Sequence, residues 1–422
     1  MTDDLMKSSG SRDAGNSTHA DEQRLYPKVR FRGFDEPWKK VKLGQIADVR
    51  DGTHESPKYV SQNGYPLITS KNLENGTINF DDISYISKKD YEEINKRSLV
   101  EKNDILFGMI GTIGNVAIVK KSGFAIKNVA LIKSNSEIPS INLIQIIQSD
   151  ILKKYTNRLN SGNSQKFISL GDIRKFDFKM ASKSENMLIS KLFKKVDTLL
   201  SLQQRKLELM KQLYRYLLEN LNTEKKHPNI FIKGNYSHWN KVKLSDLGEI
   251  RTGKTPTPSV RSNYTNIGMP FVTPTEIVDL YNYNTSRFIS NSGLKKAQIA
   301  PKGSILVTCI ASIGKNTCVF KEKVAFNQQI NAVTPNSFND STFLAFKSLQ
   351  WSKRIDCLTA NTAMQIINKK DFSNIETMVP NLNEQKDISK IWLKSYSLTY
   401  KYSDAKKLII RLKKFLLQNL FI

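Results

Sequence analysis

Cysteine and histidine are scarce in this 422-residue chain, and long apolar runs are missing. The three cysteines, Cys309, Cys318 and Cys357, lack the C-x-x-C spacing of zinc and redox motifs. We therefore expect reduced, buried thiols in a cytoplasmic protein. The four histidines are scattered, so no zinc site is predicted. Because no run reaches about 18 apolar residues, no membrane-spanning helix is predicted.

Signatures of catalysis are also missing. The sequence has no G-x-S-x-G nucleophile turn and no H-E-x-x-H metal motif. One motif does match, because residues 248–255 fit the phosphate-loop pattern G-x-x-x-x-G-K-[ST]. That loop needs a helix directly after it, and Pro256 and Pro258 oppose a helix there. The sequence predicts no enzyme, and a nucleotide hydrolase using Lys254 and Thr255 is the alternative.

An internal duplication is the strongest feature that is present. Residues 38–43, WKKVKL, return as residues 239–244, WNKVKL. At that offset, seven of the sixteen positions from Trp38 to Thr53 are identical. The copies also end alike, with LLENL at 217–221 and LLQNL at 416–420. A period of about 200 residues is far longer than that of solenoid repeats and indicates a duplicated domain.

The charge balance is the second strong feature. The chain carries a formal net charge of +26, with a pI near 9.7. Such an excess repels itself and is most simply explained by a polyanionic partner. Nucleic acid, an acidic membrane surface and an acidic protein all remain open on charge alone.

Each copy combines a strand-rich globular part with a long helix that lacks Gly and Pro, which predicts an α+β fold with an internal pseudo-two-fold repeat. The expected boundaries are a disordered tail at 1–24, a first globular domain at 25–185, a long helix and linker at 186–226, a second globular domain at 227–384, and a C-terminal long helix at 385–422. Neither helix can bury its full length against its own small domain. We therefore expect the two helices to separate the domains and to pack as an antiparallel coiled coil.

The predicted seam of the coiled coil follows apolar residues at three-four spacing. On the first helix these are Val196, Leu199, Met210, Leu213 and Leu217, interrupted by Gln203 and Lys206. On the second helix they are Ser395, Leu398, Tyr402, Ala405, Ile409, Leu412 and Leu416.

Polar loops recur at three matching places in the two copies. The predicted nucleic-acid-binding residues of the first copy are Arg50, Thr53, Lys71, Asn72, Asn163, Ser164, Gln165 and Lys166. Those of the second copy are Arg251, Lys254, Thr273, Thr275, Asn361, Thr362 and Gln365. Amide side chains can bind adenine in bidentate fashion, and Arg or Lys can bind guanine. For any single residue, an ordinary solvated loop is the alternative.

In this combination of features the chain resembles the specificity (S) subunits of type I restriction–modification systems. The resemblance covers the chain from Tyr26 onward. It rests on the lead-in at 27–34 before Trp38, on the repeated Ile-Gly turns at 113–114 and 313–314, on Gln165 and Gln365 in matching loops, and on the two long helices. Arg32 departs from the proline more usual in that lead-in.

The resemblance implies two target recognition domains, each of which reads one half of a bipartite, asymmetric sequence in double-stranded DNA. It implies no catalysis and no cofactor on this chain. It also implies docking of two methyltransferase (M) subunits, which bind S-adenosylmethionine, and two restriction (R) subunits, which use ATP and Mg²⁺. No membrane is expected as a partner. A stand-alone, two-domain nucleic-acid-binding regulator is the alternative.

Overall fold

The computed structural model describes residues 6–8, 25–61, 63–74, 76–159, 167–232, 238–281, 283–309, 317–359 and 367–422, with the side chains of 6–8 and 352–359 left out. The chain divides into two compact units. Unit 1 comprises residues 1–204 and 405–422, and unit 2 comprises residues 205–404. Each long helix contributes to both units, so the units do not coincide with the two sequence copies.

The strands of unit 1 are β1 (Met6–Ser8), β2 (Val29–Phe31), β3 (Lys39–Lys42), β4 (Val49–Asp51), β5 (Tyr65–Thr69), β6 (Leu73–Glu74), β7 (Thr77–Ile78), β8 (Ser84–Ile86), β9 (Ile105–Gly108), β10 (Val116–Ile118), β11 (Ala125–Lys127), β12 (Val129–Ile132) and β13 (Asp177–Met180). The helices that begin in it are α1 (Leu43–Ile46), α2 (Lys88–Ser98), α3 (Ser140–Gln148), α4 (Asp150–Leu159), α5 (Leu170–Lys175) and the long α6 (Lys183–Leu221).

The strands of unit 2 are β14 (Asn240–Lys243), β15 (Gly248–Thr252), β16 (Tyr264–Thr265), β17 (Met269–Val272), β18 (Phe288–Ile289), β19 (Gln298–Ala300), β20 (Ile305–Thr308), β21 (Thr317–Val319), β22 (Val324–Phe326), β23 (Ile330–Pro335) and β24 (Glu376–Val379). The helices that begin in it are α7 (Leu244–Leu247), α8 (Asn291–Leu294), α9 (Ser341–Thr359), α10 (Lys369–Ser373) and the long α11 (Leu382–Asn419).

A four-stranded antiparallel sheet forms the centre of each unit. Its order is β10-β9-β12-β4 in unit 1 and β15-β23-β20-β21 in unit 2. Successive side chains of a strand point to opposite faces, and β9 shows the consequence. Ile105 and Phe107 lie in one apolar core, and Leu106 lies in another. Because both faces are buried, the strand is apolar at every position rather than alternating.

The two long helices pack against each other inside each unit. In unit 1, Phe193 of α6 stacks on Phe421, and Asp197 of α6 pairs with Lys413 of α11 at 2.8 Å. In unit 2, Tyr214 of α6 contacts Tyr396 of α11. Positions rise along one helix as they fall along the other, so the packing is antiparallel. The predicted fold class, an α+β internal repeat with paired long helices, is confirmed.

The predicted seam of α6 is partly wrong. Its buried and half-buried stripe consists of Val196, Leu200, Gln203, Leu207, Met210, Tyr214, Leu217 and Leu221. The predicted seam residues Leu199 and Leu213 are instead 50% and 42% exposed, and Lys206 is also exposed. On α11 the predicted residues are buried or half-buried except Leu412, which is 47% exposed.

A duplicated hydrogen bond ties each long helix to the start of its sequence copy. The indole Nε1 of Trp38 donates to Glu185 at 3.1 Å, and Nε1 of Trp239 donates to Glu384 at 3.1 Å. Both glutamates are in the first turn of their helices and are buried. Arg30 adds two further bonds to Glu185, each 2.9 Å long.

The ends of the elements differ from the predicted boundaries in small ways. Helix α6 begins at Lys183 rather than residue 186, and α11 begins at Leu382 rather than residue 385. Residues Met6–Ser8 form β1, which pairs antiparallel with β2. The prediction of a disordered tail is therefore wrong for those three residues, because β2 offers them a strand edge.

Candidate nucleic-acid interface

In each unit a glycine lets the end of the first strand of the central sheet pass directly over a neighbouring strand. A Cβ atom at Gly52 would lie 2.2 Å from Ile126 O, and one at Gly253 would lie 1.9 Å from Asn327 O. Neither distance is possible for a side chain. The two glycines that match in the sequence repeat therefore mark the same close backbone crossing.

Matching backbone hydrogen bonds hold this crossing in both units. Thr53 N donates to Ile126 O at 3.0 Å, and Lys254 N donates to Phe326 O at 2.9 Å. In unit 1, Asn128 N also donates to Thr53 O at 3.1 Å. The predicted residues Thr53 and Lys254 are thus brought to equivalent places, and the side chain of Lys254 is exposed.

The second predicted loop meets the same crossing. In unit 1, Ser70 Oγ donates to Asn128 O at 3.0 Å, and Thr112 Oγ1 donates to Ser70 O at 2.8 Å. In unit 2, Asn327 N donates to Val272 O, the residue before the predicted Thr273. Segments far apart in sequence therefore converge. We call residues 52–56, 69–72, 109–112 and 127–129 loop cluster 1, and residues 253–257, 273–276 and 326–330 loop cluster 2.

The third predicted loop lies outside the described residues, as do its candidates Asn163, Ser164, Gln165, Lys166, Asn361, Thr362 and Gln365. The residues that follow it are described. Ile168 N donates to Met109 O at 3.1 Å, and Ile367 N donates to Cys309 O at 3.0 Å. In both units the chain thus leaves this loop beside the end of the same central strand.

Two arginines that match in the repeat are held by carboxylates rather than aimed at a ligand. Arg50 Nε donates to Asp48 at 2.8 Å, and Arg251 Nε donates to Glu249 at 2.7 Å. The hydrogen bond that Arg50 donates to Asp48 raises the pKa of Arg50, and the one that Arg251 donates to Glu249 raises the pKa of Arg251. Each guanidinium also donates to a backbone carbonyl of a distant segment. This geometry favours a structural role for the two arginines, linking segments within each unit, over the reading of bases.

Asn72 is the clearest error among the predicted readers. Its side chain is buried, it accepts from Thr69 N at 3.0 Å, and it donates to Asp82 O at 2.9 Å. It caps the turn that follows β5, so its amide cannot reach a base. In unit 2 the same position is Glu276, which accepts from Thr273 N at 2.6 Å.

The neighbours of these caps remain at the surface. Lys71 is exposed and pairs with Asp82 at 3.0 Å. Thr275 Oγ1 lies 3.1 Å from Thr273 Oγ1. Exposed surface pairs of this kind contribute little to stability, so Lys71 can exchange Asp82 for a phosphate.

Side chains outside the predicted set of binding residues complete the two loop clusters. His54 Nδ1 lies 2.9 Å from Asn128 Oδ1, and Thr255 Oγ1 donates to Gln328 Oε1 at 2.6 Å. Asn128 and Gln328 lie where the chain passes from one sheet to the next. Each stands between two apolar segments that could be taken for one continuous strand. The polar interruptions at 127–128 and 327–329 were the available signal.

The structure gives residues 248–255 no phosphate-loop geometry. Gly248–Thr252 is strand β15, and a Cβ at Gly248 would lie 2.0 Å from Thr334 O. The next helical turn begins only at Arg261. The helix N-terminus that would hold a phosphate directly after Lys254 is not there.

Metal and thiol chemistry find no support in the part of the chain that the structure describes. It contains no group of three or more His, Cys, Asp or Glu side chains placed to hold a metal ion. Cys309 and Cys318 are free and buried, and burial raises the pKa of each thiol to about 12. Among the same residues, no helix is both long and apolar enough to cross a bilayer.

These features define a protein of two related α+β units. Each unit presents a cluster of polar loops, and the chain as a whole is strongly basic. The family profile described as type I restriction modification DNA specificity domain matches residues 35–212 and again residues 236–407. The chain belongs to this family, whose members confer DNA sequence recognition.

Individual proteins show the same likeness. The MjaX protein of Methanocaldococcus jannaschii, named as a type I restriction enzyme specificity subunit, is 24% identical over 396 residues, covering 86% of this chain and 88% of its own. The HindI specificity subunit of Haemophilus influenzae is 30% identical over 151 residues, which is 34% of this chain and 32% of that protein.

A solved S subunit from M. genitalium shares the fold, with a TM-score of 0.61 and 15% identity over 93% of this chain and 97% of that one. A chain from a structural study of type I R-M complex assembly gives a TM-score of 0.52 with 18% identity, over 91% of this chain and 97% of that one.

Proposed function

We propose that this chain recognises a bipartite, asymmetric DNA target and directs the M and R subunits of a type I restriction–modification complex to it. The observation that carries the proposal is the pair of loop clusters. Their backbone crossings match, but their exposed side chains differ, as His54 and Asn128 against Thr255 and Gln328 show. Two like scaffolds with unlike readers fit two different half-sites.

The proposal gives the chain no catalytic step and no cofactor. S-adenosylmethionine, ATP and Mg²⁺ would act on the partner subunits. The net charge of +26 would supply affinity for the phosphate backbone that does not depend on sequence. Polar side chains of the loop clusters would supply the discrimination between bases.

A duplicated apolar surface supports two copies of one partner. In unit 2, the α6 residues Leu209, Leu213 and Tyr216 are 52%, 42% and 52% exposed. In unit 1, Leu408, Leu412 and Phe415 of α11 occupy the same positions of the repeat and are 55%, 47% and 51% exposed. Exposed apolar stripes of this kind mark docking sites. We assign one M subunit to each stripe.

The basic residues beside each apolar stripe indicate which kind of segment would dock there. Arg215 and Lys414 hold the same position beside the two stripes, and both are exposed. An amphipathic helix with acidic flanks would match an apolar stripe edged by basic residues. Two matching stripes then give two M subunits for each chain.

The experiment that tests the function is methylome sequencing of a host that carries the chain together with its M subunit. We expect methylated adenine in a two-part, asymmetric sequence, and we expect no methylation when either protein is omitted. The purified chain should neither methylate nor cleave DNA. A chain that binds DNA but never associates with the M subunit would instead indicate a stand-alone regulator.

Leu213→Glu and Leu412→Glu should each remove one of two bound M subunits, because each places a charge within one apolar stripe. Native mass spectrometry of the complex should show two M subunits on the wild type, one on each single variant and none on the double variant. Both leucines are exposed, so the melting temperature should change little.

Gln212→Glu is the matched control for Leu213→Glu. It adds the same charge one residue away, about 100° around the helix, at an exposed polar position. It should retain both M subunits. Full occupancy on the Leu213→Glu, Leu412→Glu double variant would rule out the stripes as the docking sites.

A further inference from the structure

Each loop cluster contains one exposed side-chain bond that joins the loop after the first strand to the turn between two sheets. In cluster 1 it runs between His54 and Asn128, over 2.9 Å. In cluster 2 it runs between Thr255 and Gln328, over 2.6 Å. All four residues belong to the described part of the chain.

The two bonds occupy the same place in the repeat. The residue before each loop partner makes the matching backbone bond, Thr53 N to Ile126 O or Lys254 N to Phe326 O. Asn128 and Gln328 each follow that acceptor by two residues. The link between the segments has been kept while both of its side chains have changed. The place of the link is therefore common to both clusters, while the polar groups presented there differ.

In each cluster the carbonyl oxygen of the amide faces the loop residue, and His54 donates to Asn128 Oδ1 in the form that carries a proton on Nδ1. Asn128 Oδ1 faces His54, and Gln328 Oε1 accepts from Thr255. Fixing the oxygen also fixes the direction of the amide N–H groups, which have no acceptor among the described residues. A donor that becomes covered without an acceptor costs free energy. A duplex lying over the cluster must therefore present an acceptor to it.

Further contacts hold the amide of cluster 1 in place. Asn128 has a left-handed backbone, with φ of 56°, a conformation in which Asn and Asp are enriched. Its backbone N–H donates to Thr53 O, and its carbonyl accepts from Ser70 Oγ. His54 Nε2 in turn lies 3.0 Å from the buried Asp51. A reading group needs this kind of support to hold its geometry.

We propose that Asn128 and Gln328 are specificity-determining residues, each donating an amide N–H to a base-edge acceptor in one of the two half-sites, with His54 and Thr255 as the positioning residues. The acceptors available in the major groove are N7 and O6 of guanine, N7 of adenine and O4 of thymine. This inference rests on the proposed function, because it assumes that each unit reads its own half-site.

Asn128→Asp and Gln328→Glu test the assignment with the least disturbance. Each keeps the oxygen that bonds His54 or Thr255 and replaces the N–H donor by a second acceptor. Asp also tolerates the left-handed backbone at position 128. The preferred base should change at one position of one half-site, by about 5-fold or more, toward cytosine, whose amino group donates to carboxylates.

The measurement is selection from a randomised duplex oligonucleotide library by the purified complex of the chain with its M subunit. Asn128→Asp should alter one half-site only and Gln328→Glu the other only, so each variant carries its own control. Unchanged base preferences, or a loss of affinity that is equal for all sequences, would overturn the inference. A wild-type complex that selects no two-part sequence would instead refute the proposed function.

Thr255→Val gives a second, independent test that does not alter the reading residue. It removes the positioning hydroxyl with little change of shape. We expect it to broaden preference at the same base position that Gln328→Glu alters, and we expect Thr255→Ser to restore the wild-type preference. Broadening at other positions, or none in a folded variant, would count against the positioning role.

Discussion

Glu185→Ala should lower the free energy of unfolding of unit 1 by about 3–5 kcal/mol, the usual cost of removing one partner of a buried ion pair. The carboxylate accepts two bonds from Arg30 and one from the indole of Trp38. The side chains of Arg30 and Glu185 are only 5% and 1% exposed. Without Glu185, a buried guanidinium loses its counter-charge, and the first turn of α6 loses its ties to β2 and to Trp38.

Urea unfolding followed by 19F NMR of fluorotryptophan-labelled protein measures this effect. The chain has four tryptophans, of which Trp38 alone lies in unit 1. Its signal should collapse at lower urea in Glu185→Ala, while the signals of Trp239, Trp351 and Trp392 persist. Trp38→Phe removes one neutral donor and part of a buried ring but leaves the Arg30–Glu185 pair intact, so it should cost less than Glu185→Ala, measured by far-UV circular dichroism. A smaller effect for Glu185→Ala than for Trp38→Phe would contradict the ion-pair argument.

The sequence predicted the elements of the fold better than the contacts between them. Trp38 and Trp239 were visible as a repeat because they are close to other repeated residues. Their partners Glu185 and Glu384 lie 147 and 145 positions away along the chain. A hydrogen bond between such distant positions leaves no periodic pattern, so nothing in the sequence paired them.

The helix seam shows a different limit. Helix α6 carries two stripes at three-four spacing, one through Leu200, Leu207 and Tyr214 and one through Leu209, Leu213 and Tyr216. Either stripe could pair with a second helix by its pattern alone. The predicted seam mixed the two. Only the structure shows that the first stripe is covered and that the second is exposed.

At the candidate interface, the repeat indicated which described loops match between the two copies but not which contacts their side chains make. It found the matching Gly52 and Gly253, which fix the crossing in both units. It also selected Arg50 and Arg251, whose carboxylate partners Asp48 and Glu249 stand two residues earlier and were visible in the sequence. Residues that are identical in the two copies are therefore part of the common scaffold. Residues that recognise two different half-sites are expected at positions where the copies differ.

Phe421→Ala should destabilise unit 1 by about 3–5 kcal/mol, the usual cost of truncating a buried phenylalanine. Phe421 is 5% exposed, stacks on Phe193 with ring centroids 5.6 Å apart, and meets the edge of Trp38 at 6.5 Å. The residue at this position of the repeat in unit 2 is Asn222, which donates to Phe346 O instead. Unit 2 should therefore unfold as in the wild type.

Phe415→Ala is the matched control, because it makes the same change six residues earlier. Phe415 is 51% exposed and belongs to the docking stripe of unit 1. We expect the Trp38 19F signal of Phe415→Ala to collapse at the wild-type urea concentration, and we expect the complex to lose one M subunit in native mass spectrometry. In Phe421→Ala the Trp38 signal should collapse at a lower urea concentration than in the wild type. Below that concentration, where unit 1 is still folded, this variant should keep both M subunits. Equal shifts of the unfolding midpoint in the two variants would mean that Phe421 is not part of the core of unit 1.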